Sequence, residues 1–122
     1  MIVFTELVID QIVRGNAEVF SSSKFDETLG SAYDDSLEVE VEDTTGGPAS
    51  ITVKWYHSNA GKAFSVLGTP VSADTGITSL PYHAMANQTG PSGKLGRLGV
   101  TLNGGSSPSA RVRIWVNGRM HG

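Results

Sequence analysis

The stretch that most constrains the fold is Lys94 to Arg119, KLGRLGVTLNGGSSPSARVRIWVNGR. Leu98, Val100 and Leu102 alternate with Gly99, Thr101 and Asn103. After the break NGGSSPS, Val112, Ile114 and Val116 alternate with Arg111, Arg113 and Trp115. A period of two is what a half-buried strand requires, so both arms are strands with one aliphatic face, and the polar break between them predicts a hairpin. A lone hairpin is marginal in water, so the rest of the chain must supply strands against that face.

It does so repeatedly. Leu37, Val39 and Val41 alternate with Glu38, Glu40 and Glu42. After Thr44-Thr45-Gly46-Gly47-Pro48, Ile51, Val53 and Trp55 alternate with Thr52, Lys54 and Tyr56. This predicts a second hairpin in which Lys54, Arg111 and Arg113 face the three glutamates in a cross-strand ladder, worth ~0.2–1 kcal/mol per exposed pair. Arg14-Gly15-Asn16 reads as a turn, Ala17 to Phe20 as a short strand, His57 to Lys62 as an Asn-Gly turn, and Ala63 to Leu67 as another strand. Residues 26–36 read as a polar connector, and 70–80 as mostly loop with an extended piece near Val71. Residues 81–94 are the longest stretch without a pattern, a length that marks a functional or partner-held loop. Seven or eight short strands separated by Gly, Pro, Asn and Ser turns predict an all-β, single-domain β-sandwich with jelly-roll or Greek-key connections.

Residues 1–14 stand apart from the domain at 15–122. Val3, Leu7 and Ile9 occupy one face of an extended segment and Phe4, Val8 and Ile12 the other. Apolar residues on both faces fit either a strand buried between layers or an arm that pairs outside the chain. In the second case Ile2, Phe4, Leu7, Val8 and Ile9 meet the partner, and removing residues 1–9 leaves a folded domain. In the first case the same deletion unfolds it.

Composition narrows the chemistry. The 122 residues suit one domain, and 15 glycines with 39% hydrophobic residues suit a turn-rich β protein. With no cysteine, disulfides and thiolate chemistry are excluded. A net charge of -3 argues against a general nucleic-acid binder. No run reaches membrane-span length, and the N-terminus, with Glu6 and Asp10 inside its apolar run, lacks the pattern of a signal peptide. The reading is of a chain made and folded in the cytoplasm.

The catalytic motifs fail one by one. His57, His83 and His121 have no ligand spacing, no GxSxG elbow is present, and GPSGKLG lacks the spacing of a phosphate loop. Glu38, Glu40 and Glu42 stand in a row on one strand face rather than across a cleft, so they read as a solvated face. Asp34 and Asp35 with Asp26 or Glu27 lack calcium-loop order. No cofactor or metal is expected and no enzyme activity is indicated. Trp115, beside Arg111 and Arg113, suits ligand stacking, a cation–π contact or an interface anchor; the enrichment of Trp and Arg at interfaces favours the anchor.

The segments ITVKWYHSNAGKAFSVLG at 51–68 and LGRLGVTLNGGSSPSARVRIWVNGR at 95–119 together resemble the small β-sandwich decoration, or cement, proteins of tailed-phage heads. There a strand, an HSN-type turn and a strand precede a closing hairpin that ends in an RIWVxGR-like strand. The resemblance covers about the C-terminal two-thirds of the chain. It implies a non-enzymatic virion protein, homotrimeric, bound to the major capsid protein on the outer surface of the head and bridging coat subunits, with no nucleic-acid or membrane partner. An alternative is a carbohydrate-binding sandwich module, or receptor-binding piece of a virion, with Trp115, Tyr56 and Tyr82 stacked on sugar rings.

Overall fold

In the structure, a computed structural model that describes residues 2–72, 77, 82–88 and 94–120, the alternating segments become eight strands in two four-stranded antiparallel sheets. They are β1 (Ile2–Arg14), β2 (Val19–Phe20), β3 (Ala32–Thr45), β4 (Ser50–Ser58), β5 (Ser65–Val71), β6 (Tyr82–Gln88), β7 (Leu95–Asn103) and β8 (Ser109–Met120). One sheet has the order β1-β8-β3-β6 and the other β2-β7-β4-β5. Pairing runs β1 with β8, β2 with β7, β3 with β6 and β4 with β5. The chain is thus a long antiparallel ribbon folded over itself, with β4–β5 at its tip, and the fold brings β3 against β8 and β4 against β7. This is the jelly-roll form of the β-sandwich.

That topology corrects both predicted hairpins. β3 and β4 lie in different sheets, as do β7 and β8. Their connections are arches that carry the chain across the sandwich, so the aliphatic faces of the two arms meet across the core instead of lying side by side. Leu37, Val39, Val41, Val112, Ile114 and Val116 from one sheet pack against Ile51, Val53, Trp55, Leu98, Val100 and Leu102 from the other, and all are buried. Alternation reports which face is apolar and is silent on whether that face is shared with the next strand or opposed to it. Lys54 consequently lies on the opposite side of the molecule from the glutamates. The two arches brace one another: Ser106 N–H donates to Gly46 O at 2.8 Å. Gly46, at φ 74°, leaves no room for a side chain, since a Cβ there would stand 2.4 Å from Ser106 O.

Two further elements depart from the sequence reading. Asp26–Ser31 of the polar connector forms a one-turn helix, α1, preceded by a 3₁₀ turn at Ser23–Phe25. It plugs the end of the sandwich with fully buried Leu29. The pattern-free stretch from 81 contains β6, paired to β3 from Asp35 opposite Gln88 to Val41 opposite Tyr82. Residues 81 and 89–93 of that stretch lie outside the described residues.

β1 is an integral edge strand, paired to β8 from Ile2 opposite Met120 to Arg14 opposite Ser109, with a bulge between Leu7 and Ile9. The bulge explains its double apolar character. The extra residue shifts the phase of alternation, so Val3 and Leu7 face outward before it and Ile12 after it, while Val8, Ile9 and Val13 enter the core. A strict period of two had placed Ile9 with Val3 and Leu7.

Candidate functional site

The outer face of the β1-β8-β3-β6 sheet collects most of the residues singled out in the sequence. Along β8, Arg111, Arg113 and Trp115 point away from the core because Val112, Ile114 and Val116 point into it. Ladder register then fixes their neighbours. Leu7, Trp115, Glu38 and Met85 form one row across four strands; Asp10, Arg113, Glu40 and His83 form the next; Ile12, Arg111 and Glu42 form a third.

The charged rows are internally paired. Arg113 Nη1 donates to Glu40 Oε1 at 2.7 Å and to Glu42 Oε1, while its Nε lies 3.4 Å from Asp10 Oδ1. Hydrogen bonds to Glu42 and then Glu40 hold the Arg113 pKa above its ordinary value. Arg111 Nη2 donates to Asp10 Oδ1 at 2.6 Å, and His83 Nε2 lies 2.6 Å from Glu38 Oε1. Of the expected ladder, only Arg113 with Glu40 and Glu42 forms; Arg111 instead takes Asp10 from β1, Glu38 takes His83 from β6, and Lys54 lies on the other sheet. In that solvated setting such pairs set strand register more than stability.

The same face also exposes apolar side chains. Val3 is 63% exposed, Leu7 37%, Ile12 50% and Met85 69%. Trp115 is half-buried between Leu7 and Glu38, its neighbours in the row. Sequence reading found Leu7, Trp115, Arg111 and Arg113, which the fold brings together from opposite ends of the chain. It missed Val3, Ile12 and Met85. Val3 and Ile12 become legible only once the bulge is known, and Met85 only once β6 is.

Three of the expected partner-binding residues are placed elsewhere. Val8 and Ile9, each 4% exposed, belong to the core and are unavailable to a partner. Phe4 packs partly against that core, with its ring over Gly118, where a Cβ would stand 3.1 Å from it. The backbone of Ile2 pairs with Met120, and its side chain lies outside the described part. Among the described residues no three His, Asp or Glu side chains gather as they must to hold a metal ion. Asp26, considered above as a calcium ligand, is held by Arg97 Nη2 at 2.6 Å.

The aromatic trio expected to stack on sugars is dispersed by the fold. Trp115 is on this face, Tyr82 packs against the core, and Tyr56 lies on the outer face of the other sheet. There Tyr56 acquires different companions. Its hydroxyl stands 2.8 Å from both Glu18 carboxylate oxygens, and Phe20 meets its ring edge-on with centroids 5.5 Å apart. Burial, and then Glu18, push the Tyr56 pKa up to about 12. Arg97 lies 4.2 Å over the Phe64 ring. Phe20 and Val66 are 45% and 49% exposed, so this second patch is also partly apolar.

No protein-family model matches the chain, and no curated protein matches it in sequence. Among solved structures, the chain is similar to the crystal structure of the Yersinia pseudotuberculosis-derived mitogen, at 14% identity and a TM-score of 0.42, over 98% of this chain and 86% of that one. A likeness of that degree carries no argument about what this chain does.

Proposed function

We propose that this chain is a non-enzymatic structural protein of a phage virion that docks on the outer surface of the head and bridges coat subunits, acting as a homotrimer. The observation that carries the reading is the outer face of the β1-β8-β3-β6 sheet. The charges at its centre, Asp10, Glu38, Glu40, Glu42, His83, Arg111 and Arg113, are paired within the face, while Val3, Leu7, Trp115, Ile12 and Met85 remain for a partner. A half-buried Trp flanked by exposed aliphatic residues has the composition of an interface centre. The resemblance to head decoration proteins names the kind of partner, the major capsid protein. Jelly rolls serve in both capsid and lectin domains, so the architecture alone favours neither function.

The test is co-sedimentation with heads of the encoding phage stripped of their decoration protein, together with light scattering. Wild-type protein is expected on the heads and, in solution, at about three times the 12.8 kDa chain mass. Trp115→Ala and Leu7→Glu are expected to abolish attachment while retaining the β-sheet circular dichroism of the wild type. Failure of the wild type to bind heads refutes the reading.

A second reading, a carbohydrate-binding module, draws support from the patch around Tyr56, Phe20 and Phe64 instead of the trio expected from sequence. It predicts glycan affinity that Phe20→Ala removes and Trp115→Ala leaves intact, measured on a glycan array and by calorimetry.

A further inference from the structure

At the end of the β1-β8-β3-β6 sheet farthest from Trp115, the cross-strand row changes character. Arg14 stands opposite Ser109 across β1 and β8, and Thr45 stands opposite the same Ser109 across β3 and β8. With Gly15, Ser107 and Pro108 these three line a concavity of about 500 Å³.

The donors in it are unbalanced. Arg14 makes no ion pair among the described residues, whereas Asp10 and Glu42 of the same face are engaged by Arg111 and Arg113; Asp43, two residues before Thr45, is exposed to solvent. The Thr45 and Ser109 hydroxyl oxygens are 2.6 Å apart. Two hydroxyls that close share one hydrogen, so the second is left to donate elsewhere. Ser107 adds a third hydroxyl from a left-handed backbone conformation, φ 46°, which a non-glycine residue adopts at a cost that the surrounding arch must offset. The wall is already formed, because Gly15 N–H donates to Pro108 O at 2.7 Å and ties the β1–β2 turn to the β7–β8 arch.

We propose that this concavity binds one oxyanion group, phosphate or carboxylate in class, with the Arg14 guanidinium as the charged donor and the hydroxyls of Thr45, Ser107 and Ser109 around it. Guanidinium forks and hydroxyl groups complement the oxygens of such an anion, and a preformed wall lowers the ordering that binding requires. The site lies at one end of the same sheet face, one row beyond Ile12, and its binding is read on the free chain, so the test does not depend on whether the chain binds phage heads.

The test is an amide-resolved NMR titration of the full chain with sodium phosphate and, separately, sodium acetate, with sodium chloride holding ionic strength constant. Saturable shifts confined to Gly15, Thr45, Ser107 and Ser109 are expected with at least one of them. Saturation by phosphate marks a phosphoryl or free-phosphate ligand, and saturation by acetate marks a carboxylate such as an acidic side chain offered by another protein. Arg14→Gln is expected to weaken binding by about tenfold or more, the loss for one charge-assisted hydrogen bond. Arg119→Gln, an arginine at the other end of the same face, is expected to leave it unchanged. If neither anion saturates, or if the shifts persist in Arg14→Gln, the proposal is overturned.

Discussion

Gly30→Ala sets helix propensity against packing. Gly30 lies in α1, and alanine in a helix interior is favoured over glycine by ~1 kcal/mol, so propensity alone predicts a more stable protein. The fold predicts the reverse. A Cβ at Gly30 would stand 2.2 Å from Lys94 O and 2.5 Å from Leu95 Cα, both backbone atoms at the start of β7. Ordinary contact begins near 3.4 Å, so α1 and β7 must separate by about 1 Å. The helix carries Leu29, which is fully buried, and burial of a leucine is worth ~1.5–3 kcal/mol. If most of that contribution is lost and the propensity gain is retained, the net destabilisation is ~0.5–2 kcal/mol. With a urea m-value of ~2 kcal/mol/M, the midpoint falls by ~0.3–1 M. Equilibrium urea unfolding followed by tryptophan fluorescence measures this. A midpoint equal to or above that of the wild type would refute the close approach of α1 to β7.

Other substitutions probe the two sheets. Tyr56, with its pKa raised to about 12 by burial and Glu18, holds its proton more tightly folded than unfolded. Its contribution is therefore complete below pH 10 and declines as pH rises from 10 towards 12, and Tyr56→Phe should show a shallower decline in thermal midpoint across that window. Arg113→Met leaves Glu40 and Glu42 without their shared cation, so its thermal midpoint should drop at pH 7 in low salt and recover on adding salt. Ile114→Ala, at a fully buried position, should cost ~2–5 kcal/mol in urea unfolding, whereas Ile12→Ala on the outer face should change stability by no more than ~0.5 kcal/mol.

The sandwich was legible because β3, β4, β7 and β8 each keep an uninterrupted period of two with aliphatic residues on the inner side. The pairing of those strands was not, since an arch and a hairpin present the same alternation. β6 escaped notice because its inward positions include Tyr82, Ala84 and Ala86, small or polar-tipped residues that give no aliphatic rhythm beside His83, Met85 and Asn87. α1 is too short to show a helical period, and its anchor, Leu29, is a single residue. In β1 the apolar residues were evident but their phase was hidden, because no residue type at Leu7-Val8-Ile9 announces a bulge. The face proposed for docking inherits these gaps: the outward placement of its β8 residues was legible, and its β1 and β6 residues were misassigned or missed.

The ribbon topology also determines how binding and folding can be separated in this chain. β1 and β8 are the two ends of the ribbon, and their pairing places Leu7 beside Trp115. The same two strands wall the core through Val8, Ile9 and Val13 on one side and Ala110, Val112, Ile114 and Val116 on the other. Removing residues 1–9 would therefore strip Val8 and Ile9 from the interior and leave β8, still paired to β3, with its other edge open along about half its length, so lost binding would report lost structure. Only substitutions on the outward phase of β1, at Val3, Leu7 and Ile12, change what a partner meets while leaving the inner wall intact. Because the bulge decides which residues have that phase, it is the local feature that joins the fold to the proposed docking face in this strand.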